Sequence, residues 1–274
     1  MKKKNLSAYP YLVWSIIFII FPLFIVLYYS FTKKVNGNFV FTLDNYKNLL
    51  DPLYLKVFGR SLYLAFSSTI VCLILGYPIA YIIARMNVKK RGILILLFIL
   101  PMWMNFLLRT YSWMSILGKN GIIDKLFALV GIHVGSLLYT DTAVMLGMIY
   151  NFLPFMVLPI YTILINTDMD LINAAQDLGA NKLKVFWKVT FPLSLPGVMS
   201  GITMVFMPAV STFVISRLLG GGQYMLLGNL IEEQFTTAGN WNFGSSISIV
   251  MMILILLSMA IMSKYEKTEK DGVI

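Results

Sequence analysis

Six stretches of this chain are apolar over close to the roughly 20 residues that a helix needs to cross the hydrocarbon of a bilayer. They are residues 11–31, 61–84, 93–111, 143–165, 198–215 and 246–263. Backbone N–H and C=O groups in lipid find no water, so each stretch must satisfy its own hydrogen bonds, and each is read as a helix. None shows the apolar/polar alternation of a membrane strand, which disfavours a barrel. The fold class expected is all-α integral membrane with six transmembrane helices, and residues 1–274 form a single membrane domain.

Composition agrees. Of the 274 residues, 58% are hydrophobic and 12% charged, about half the charge of a typical soluble domain. The net charge of +10 does not point to nucleic acid, because the basic residues sit in short loops between apolar runs. Thirteen of the 22 Lys and Arg fall on one side, with Lys2, Lys3, Lys4, the run Arg85–Arg91, Lys182, Lys184, Lys188, Lys264, Lys267 and Lys270. Nine, including Arg60, Arg109 and Arg217, fall on the other. This excess predicts both termini and the 167–196 loop to be cytoplasmic, and the first run to be an uncleaved span rather than a secretory signal.

The motifs exclude much. No Gly-x-x-x-x-Gly-Lys-Ser/Thr run is present, so the chain has no phosphate cradle of its own. The single cysteine, Cys72, lies in an apolar run, and the single histidine, His133, lies in a loop. A metal cluster or a histidine-based triad therefore cannot be built, and catalytic and metal sites are both read as none. The chain is read as not an enzyme.

The segment 167–196 is polar where its neighbours are not. Leu171, Ala174, Ala175 and Leu178 recur at i, i+3, i+4, i+7, with Asn173 and Asp177 on another face. Asp168 or Asp170 can cap the start, and Gly179 reads as the stop. A second pattern follows, with Leu183, Phe186, Trp187 and Thr190 on one side and Lys184 and Lys188 on another. Pro192 and Pro196 are expected to end it. The prediction is helix, bend, helix. Two readings are open: a docking element, or an interfacial helix whose lysines rest on lipid phosphates.

Beyond the membrane runs, residues 225–235 carry apolar residues at helical spacing and predict a short surface helix, either docking a partner or packing on the bundle. Trp103 lies deeper in the third run than an interfacial belt residue should, with Asn105 as a polar group beside it. Tyr111 and Trp113 fit the belt. Asn151, near Pro154 and Pro159, marks a polar, kinkable fourth span. A flexible polycation needs carboxylates and aromatic faces; Asp141, Glu232, Glu233, Tyr224 and Trp241 are the candidates on the outer side.

The 167–196 segment resembles the cytoplasmic loop of ABC importer permeases, written Glu-Ala-Ala, three residues, Gly, nine residues, Ile-x-Leu-Pro. Ala174, Ala175, Gly179 and Phe191-Pro192-Leu193 carry the match, and Asn173 stands where the family has glutamate. Along nearly the whole chain the resemblance narrows to spermidine/putrescine permeases of the B type. It is carried by residues 100–105, 108–113, 150–155, 212–215 and 218–222, then 228–231 and 240–244. Ser216-Arg217 replaces a Pro-Glu pair found in relatives.

This resemblance implies a type I importer permease fold in a bacterial cell membrane. It implies alternating access driven by a separate ATPase docked through Asn173, Ala174, Ala175, Asp177, Gly179, Lys184 and Lys188. Expected partners are a homologous C-type permease subunit, two ATPase subunits that hold ATP and magnesium, and an extracytoplasmic substrate-binding protein. Membrane lipid and a polyamine complete the set, with no nucleic acid and no cofactor on this chain. Trp103, Asn105, Tyr111 and Asn151 are expected on the substrate path. Glu232, Glu233, Tyr224 and Trp241 are expected to meet the binding protein. The alternatives are a permease for another small solute, such as an inorganic ion, and a stand-alone secondary carrier.

Overall fold

A computed structural model describes residues 9–129, 131 and 135–270, with side chains described as far as Met262. Lys2, Lys3, Lys4 and His133 lie outside the described residues, as do the side chains of Lys264, Lys267 and Lys270. In chain order the elements are α1 (Tyr9–Ser30), β1 (Thr32–Val35), β2 (Asn38–Phe41), α2 (Asp44–Asn48) and α3 (Pro52–Ala84). Next come α4 (Val88–Ile99, extended by a tight turn to Trp103), α5 (Phe106–Leu117), α6 (Ile122–Ala128) and α7 (Asp141–Asn166). The chain closes with α8 (Met169–Asp177), α9 (Lys182–Ser211), α10 (Val214–Leu219), α11 (Leu227–Thr236) and α12 (Trp241–Lys270).

Local chemistry sets the helix starts. Asp51 accepts from the Leu53 N–H, with Pro52 in the first turn of α3. Asn87, Thr140, Asp168 and Asn181 cap α4, α7, α8 and α9 in the same way. Each side-chain oxygen takes up one of the N–H groups that a helix start leaves free.

Five helices are long and apolar enough to cross a membrane: α1, α3, α7, α9 and α12. The third apolar run departs from the expected straight span. It bends by 93° between Trp103 and Phe106. Met104 is extended, and Asn105 accepts from Leu107 and Leu108 N–H at 2.9 and 3.3 Å, opening α5 as a new helix. An asparagine side chain that outcompetes the preceding turn for these donors stops one helix and starts another.

The fifth run departs in the other direction. α9 begins at Lys182, before the run itself, and passes through Pro192 and Pro196 without ending. A wide π turn covers Phe186–Thr190, closed by the Phe191 N–H on the Phe186 carbonyl. Pro192 then falls in the first turn beyond it, where a missing N–H costs least. The helix stops at Ser211, and Thr212 and Phe213 lead into α10.

α3, α7 and α9 form the core, built on Leu64, Ala65, Cys72, Met148, Met156, Val157, Ile160, Val198 and Val205. Gly201 lets α9 approach α7: a Cβ there would stand 2.7 Å from the Met156 sulfur. α1 is peripheral, with Ser30 as its buried residue. Two amides fasten that end. Asn45 donates to the Ser30 and Thr32 carbonyls at 3.1 and 2.9 Å, and Asn242 donates to those of Tyr29 and Thr32 at 3.1 and 2.7 Å. Between α1 and α3 a β-hairpin turns on Asn36-Gly37, with φ of 49° and 86°, a pairing that suits a tight two-residue turn. The bundle thus has a hairpin end, at β1 and β2, and an elbow end, at α8 and the start of α9.

Candidate functional site

The elbow end is built by α8 and the first turns of α9. Asp168 caps α8, and Gly179 ends it with φ +82°, in open space. The bend therefore needs glycine for its backbone angle rather than for room. Ile172 and Val185 are buried, and α8 packs on the first turns of α9. The face on which the spacing places Leu171, Ala174 and Leu178 points away from the protein. Leu178 is 89% exposed, and Met169, Leu171, Leu183 and Trp187 are exposed with it. Asn173, Ala174, Asp177, Lys184 and Lys188 share this exposed surface, while Ala175 is half-buried. Ile172 was hidden from the spacing argument, because it lies off the apolar stripe.

The second helix of the elbow also divides differently from its pattern. Leu183 and Trp187 face out, whereas Phe186 turns inward, edge-on to Tyr77 and Tyr81 at 5.8 and 5.6 Å. Tyr77 Oη lies 2.8 Å from Ser194 Oγ, which itself donates to the Phe191 carbonyl. The elbow is thereby welded to α3 and α9.

At the hairpin end, Arg217, Gly222, Tyr224, Met225, Asn229, Glu232, Glu233 and Thr237 surround a cavity of about 260 Å³. Of the four residues assigned to partner docking, Glu232, Glu233 and Tyr224 meet here. Trp241 stands apart, exposed and edge-on to Phe235 at 5.5 Å. The surface helix predicted for 225–235 is α11, and it packs on the bundle through buried Leu227 and Leu230. Arg217 donates to Glu232 at 2.6 Å. Ser216 donates to Asn229, so both residues of the Ser216-Arg217 pair bind α10 to α11. Asp141 is not a free carboxylate for a cation: Arg60 Nη2 donates to its Oδ1 and Oδ2 at 2.6 and 2.7 Å, Nε donates to Oδ1 at 3.1 Å, and the guanidinium stacks over the Tyr224 ring at 4.1 Å.

The four residues assigned to the substrate path do not converge. Trp103 is 78% exposed at the bend with Asn105 exposed beside it, and Tyr111 is exposed further along α5. Asn151 is buried in α7, where its amide donates to the Gly147 carbonyl at 2.8 Å and its oxygen has no partner. Arg109, counted from sequence among the loop charges, is on α5 and 91% buried. Its guanidinium carbon lies 6.0 Å from both the Phe106 and the Tyr150 ring centres, and Trp113 meets Tyr150 at 5.3 Å. An arginine inside an apolar run was the available signal for this group.

Comparison with known proteins gives the family. The chain matches the family described as "Binding-protein-dependent transport system inner membrane component" over residues 74–267, and it belongs to that family. It is therefore a multi-pass membrane protein of the permease type. It is 39% identical over 249 residues to the spermidine/putrescine transport system permease protein PotB of Haemophilus influenzae, covering 89% of this chain and 87% of that one. It is 38% identical over 253 residues to the PotB protein of Escherichia coli K12, covering 90% and 92%. Among solved structures it resembles a chain of a bacterial alginate ABC transporter crystallised with its periplasmic protein, with a TM-score of 0.80 at 14% identity over 95% of this chain and 94% of that one. A chain of the MetNI methionine ABC transporter gives 0.57 at 17% identity, over 80% and 98%. The fold is thus that of ABC importer permeases, as expected.

Proposed function

We propose that this permease imports a polyamine, spermidine or putrescine, as one membrane subunit of an assembly powered by a separate ATPase. The substrate class rests on the identity to the PotB proteins over nearly the whole chain. The observation that carries the mechanism is the elbow: an exposed apolar surface on a rigid unit continuous with a membrane-crossing helix.

The reading makes the elbow end cytoplasmic and the hairpin end external. Leu171, Leu178, Leu183 and Trp187 offer apolar area to a soluble partner, and removing such area from water is favourable by about 25 cal/mol per Å². Asn173, Asp177, Lys184 and Lys188 would fix the register, with Asn173 able to hydrogen-bond where relatives offer a charge. The 30 residues of α9 extend about 45 Å at 1.5 Å per residue. A push on the elbow is therefore delivered along one helix to Ser211. There α10 and α11 are held by Arg217–Glu232 and Ser216–Asn229, the contacts that opening of the external end would strain. ATP and magnesium would reside on the ATPase.

Trp103 presents a ring face suited to cation–π contact with an ammonium group, worth roughly 0.5–2 kcal/mol. The cavity at the hairpin end, with Glu233 free of an ion pair among the described residues, fits the place where the external binding protein would dock.

Reconstitution tests the reading. The chain, combined with a homologous permease, an ATPase and a binding protein in proteoliposomes, should take up spermidine or putrescine only when ATP is inside the ATPase compartment. Uptake that needs no ATPase would establish a secondary carrier instead. ATP-dependent uptake of an inorganic ion, with polyamines excluded, would overturn the substrate class.

A further inference from the structure

Among the described residues, Arg109 is a buried cation without a counter-ion. Its side chain is 91% buried, and its Nε has no hydrogen-bond partner. Among the described side chains the apolar spans carry two acids: Asp141, at the first position of α7, is held by Arg60, and Asp124, on α6, accepts from the Asn120 and Gly135 N–H groups. The depth can be estimated from Tyr150, whose ring faces the guanidinium. Tyr150 is nine residues into α7, about 13 Å from the Asp141 end. The 26 residues of α7 cover about 39 Å against a hydrocarbon layer of about 30 Å. With α7 upright and centred in that layer, Arg109 lies about 9 Å below the hydrocarbon boundary, out of reach of the phosphates of an undistorted bilayer.

A buried unpaired charge is strongly destabilising, whereas a paired one is tolerated. The side chain is placed to be completed from outside. On α5, Phe106, Thr110, Trp113 and Leu117 pack inward. Leu107, Leu108 and Tyr111 form an exposed apolar stripe, and Arg109 sits at the edge of the packed face, one turn before exposed Ser112. Of the guanidinium nitrogens only Nε is both fully covered and unpartnered, which leaves the tip as the reachable part.

We propose that the Leu107–Leu108–Tyr111 face of α5 is covered by a second membrane-spanning chain, and that this chain presents a carboxylate to the Arg109 guanidinium. The proposal rests on the permease reading above, in which a second, homologous permease is present. A carboxylate is the matching chemistry because its two oxygens accept in parallel from the arginine fork and cancel its charge. The pair would also select the partner, since an apolar or basic residue opposite Arg109 leaves the charge unrelieved.

The test uses Arg109→Met, which keeps length and apolar volume and removes the charge. The full chain purified alone in detergent should be at least as thermostable with R109M as without it, because an unpaired charge has gone. Coexpressed with the homologous permease, R109M should lose copurification by about a hundredfold, since the partner's carboxylate is now the orphan. Arg109→Lys, which keeps the charge and loses the fork, should fall between R109M and the wild type. Arg109→Glu should fail and be rescued by an acid-to-Arg change in the partner. R109M that assembles like the wild type would overturn the proposal, and so would R109M that destabilises the chain alone. Wild-type assembly that follows phosphatidylglycerol content and fails in zwitterionic vesicles would assign the counter-ion to lipid and overturn it too. A wild-type chain that pairs with no second membrane protein would sink the permease reading along with this contact. Normal wild-type pairing that R109M leaves intact would sink this contact alone.

Discussion

Arg217 Nη1 lies 2.6 Å from Glu232 Oε1, joining α10 to α11 across the mouth of the hairpin-end cavity. The pair is partly exposed, 61% on the arginine and 27% on the glutamate, so its worth to stability is about 0–1 kcal/mol. Arg217→Ala should move the melting temperature little. Reversing the charge of Glu232 and Glu233 together should leave the fold intact and raise the amount of binding protein needed for half-maximal uptake. Uptake unchanged at limiting binding protein would remove these residues from the docking surface.

Gly179 makes the sharpest prediction at the elbow. With φ at +82° and open space around it, a valine meets no neighbour but cannot hold that backbone angle without strain of about 1–2 kcal/mol or more. Gly179→Val should insert normally, pair with the second permease, and lose ATPase copurification. The double change of Lys184 and Lys188 to glutamine should weaken ATPase binding and spare membrane insertion. The opposite pattern, with glycine dispensable and the lysines essential for insertion, would identify the elbow as a lipid-surface helix.

Ala174 is exposed on α8 beside Leu171 and Leu178. A leucine there touches nothing in this chain, so the thermal stability of the chain alone should hold. Overpacking a docked partner costs about 1–3 kcal/mol, so ATPase affinity should fall roughly 5- to 150-fold. Pull-down with purified ATPase measures it.

Trp103 and Trp14 are both exposed, at 78% and 53%. Replacing either with alanine should change the amount of folded protein little. Trp103→Ala should reduce polyamine uptake more than Trp14→Ala, because only Trp103 stands at the bend with Asn105. Equal uptake for the two variants would return Trp103 to a lipid-facing role.

Tyr77→Phe tests the weld between elbow and core. Ser194 already donates to the Phe191 carbonyl, so Tyr77 is the donor in their 2.8 Å contact. Removing it leaves no orphaned donor, and the cost should be about 0.5–1.5 kcal/mol. A thermal-shift loss far beyond that would mean the hydroxyl also holds the elbow in place.

Hydrophobic run length determined the spans, because lipid forbids unpaired backbone and demands a minimum helix length wherever a chain crosses. Cap chemistry was equally local: Asp168 and Gly179 bound α8 by side-chain reach and backbone angle, and both are legible in a single stretch of sequence. What tertiary structure decided is everything that depends on two elements meeting. Pro192 and Pro196 read as stops, yet α9 continues, because a π turn places Pro192 where its missing N–H does no harm. Asn105 read as a polar group within a span, yet it caps a new helix at a 93° bend. The apolar stripe of α8 does not say which way it faces; Ile172, off that stripe, is the buried residue, and the stripe is turned outward. Arg60, Arg217 and Arg109 belong to one charge class in the sequence. Only packing separates them, into a clamp on Asp141, a tie to Glu232, and a buried cation with no ion pair among the described residues. Charge pairing depends on distances between residues 81 and 15 positions apart, and those distances exist only once the helices have packed.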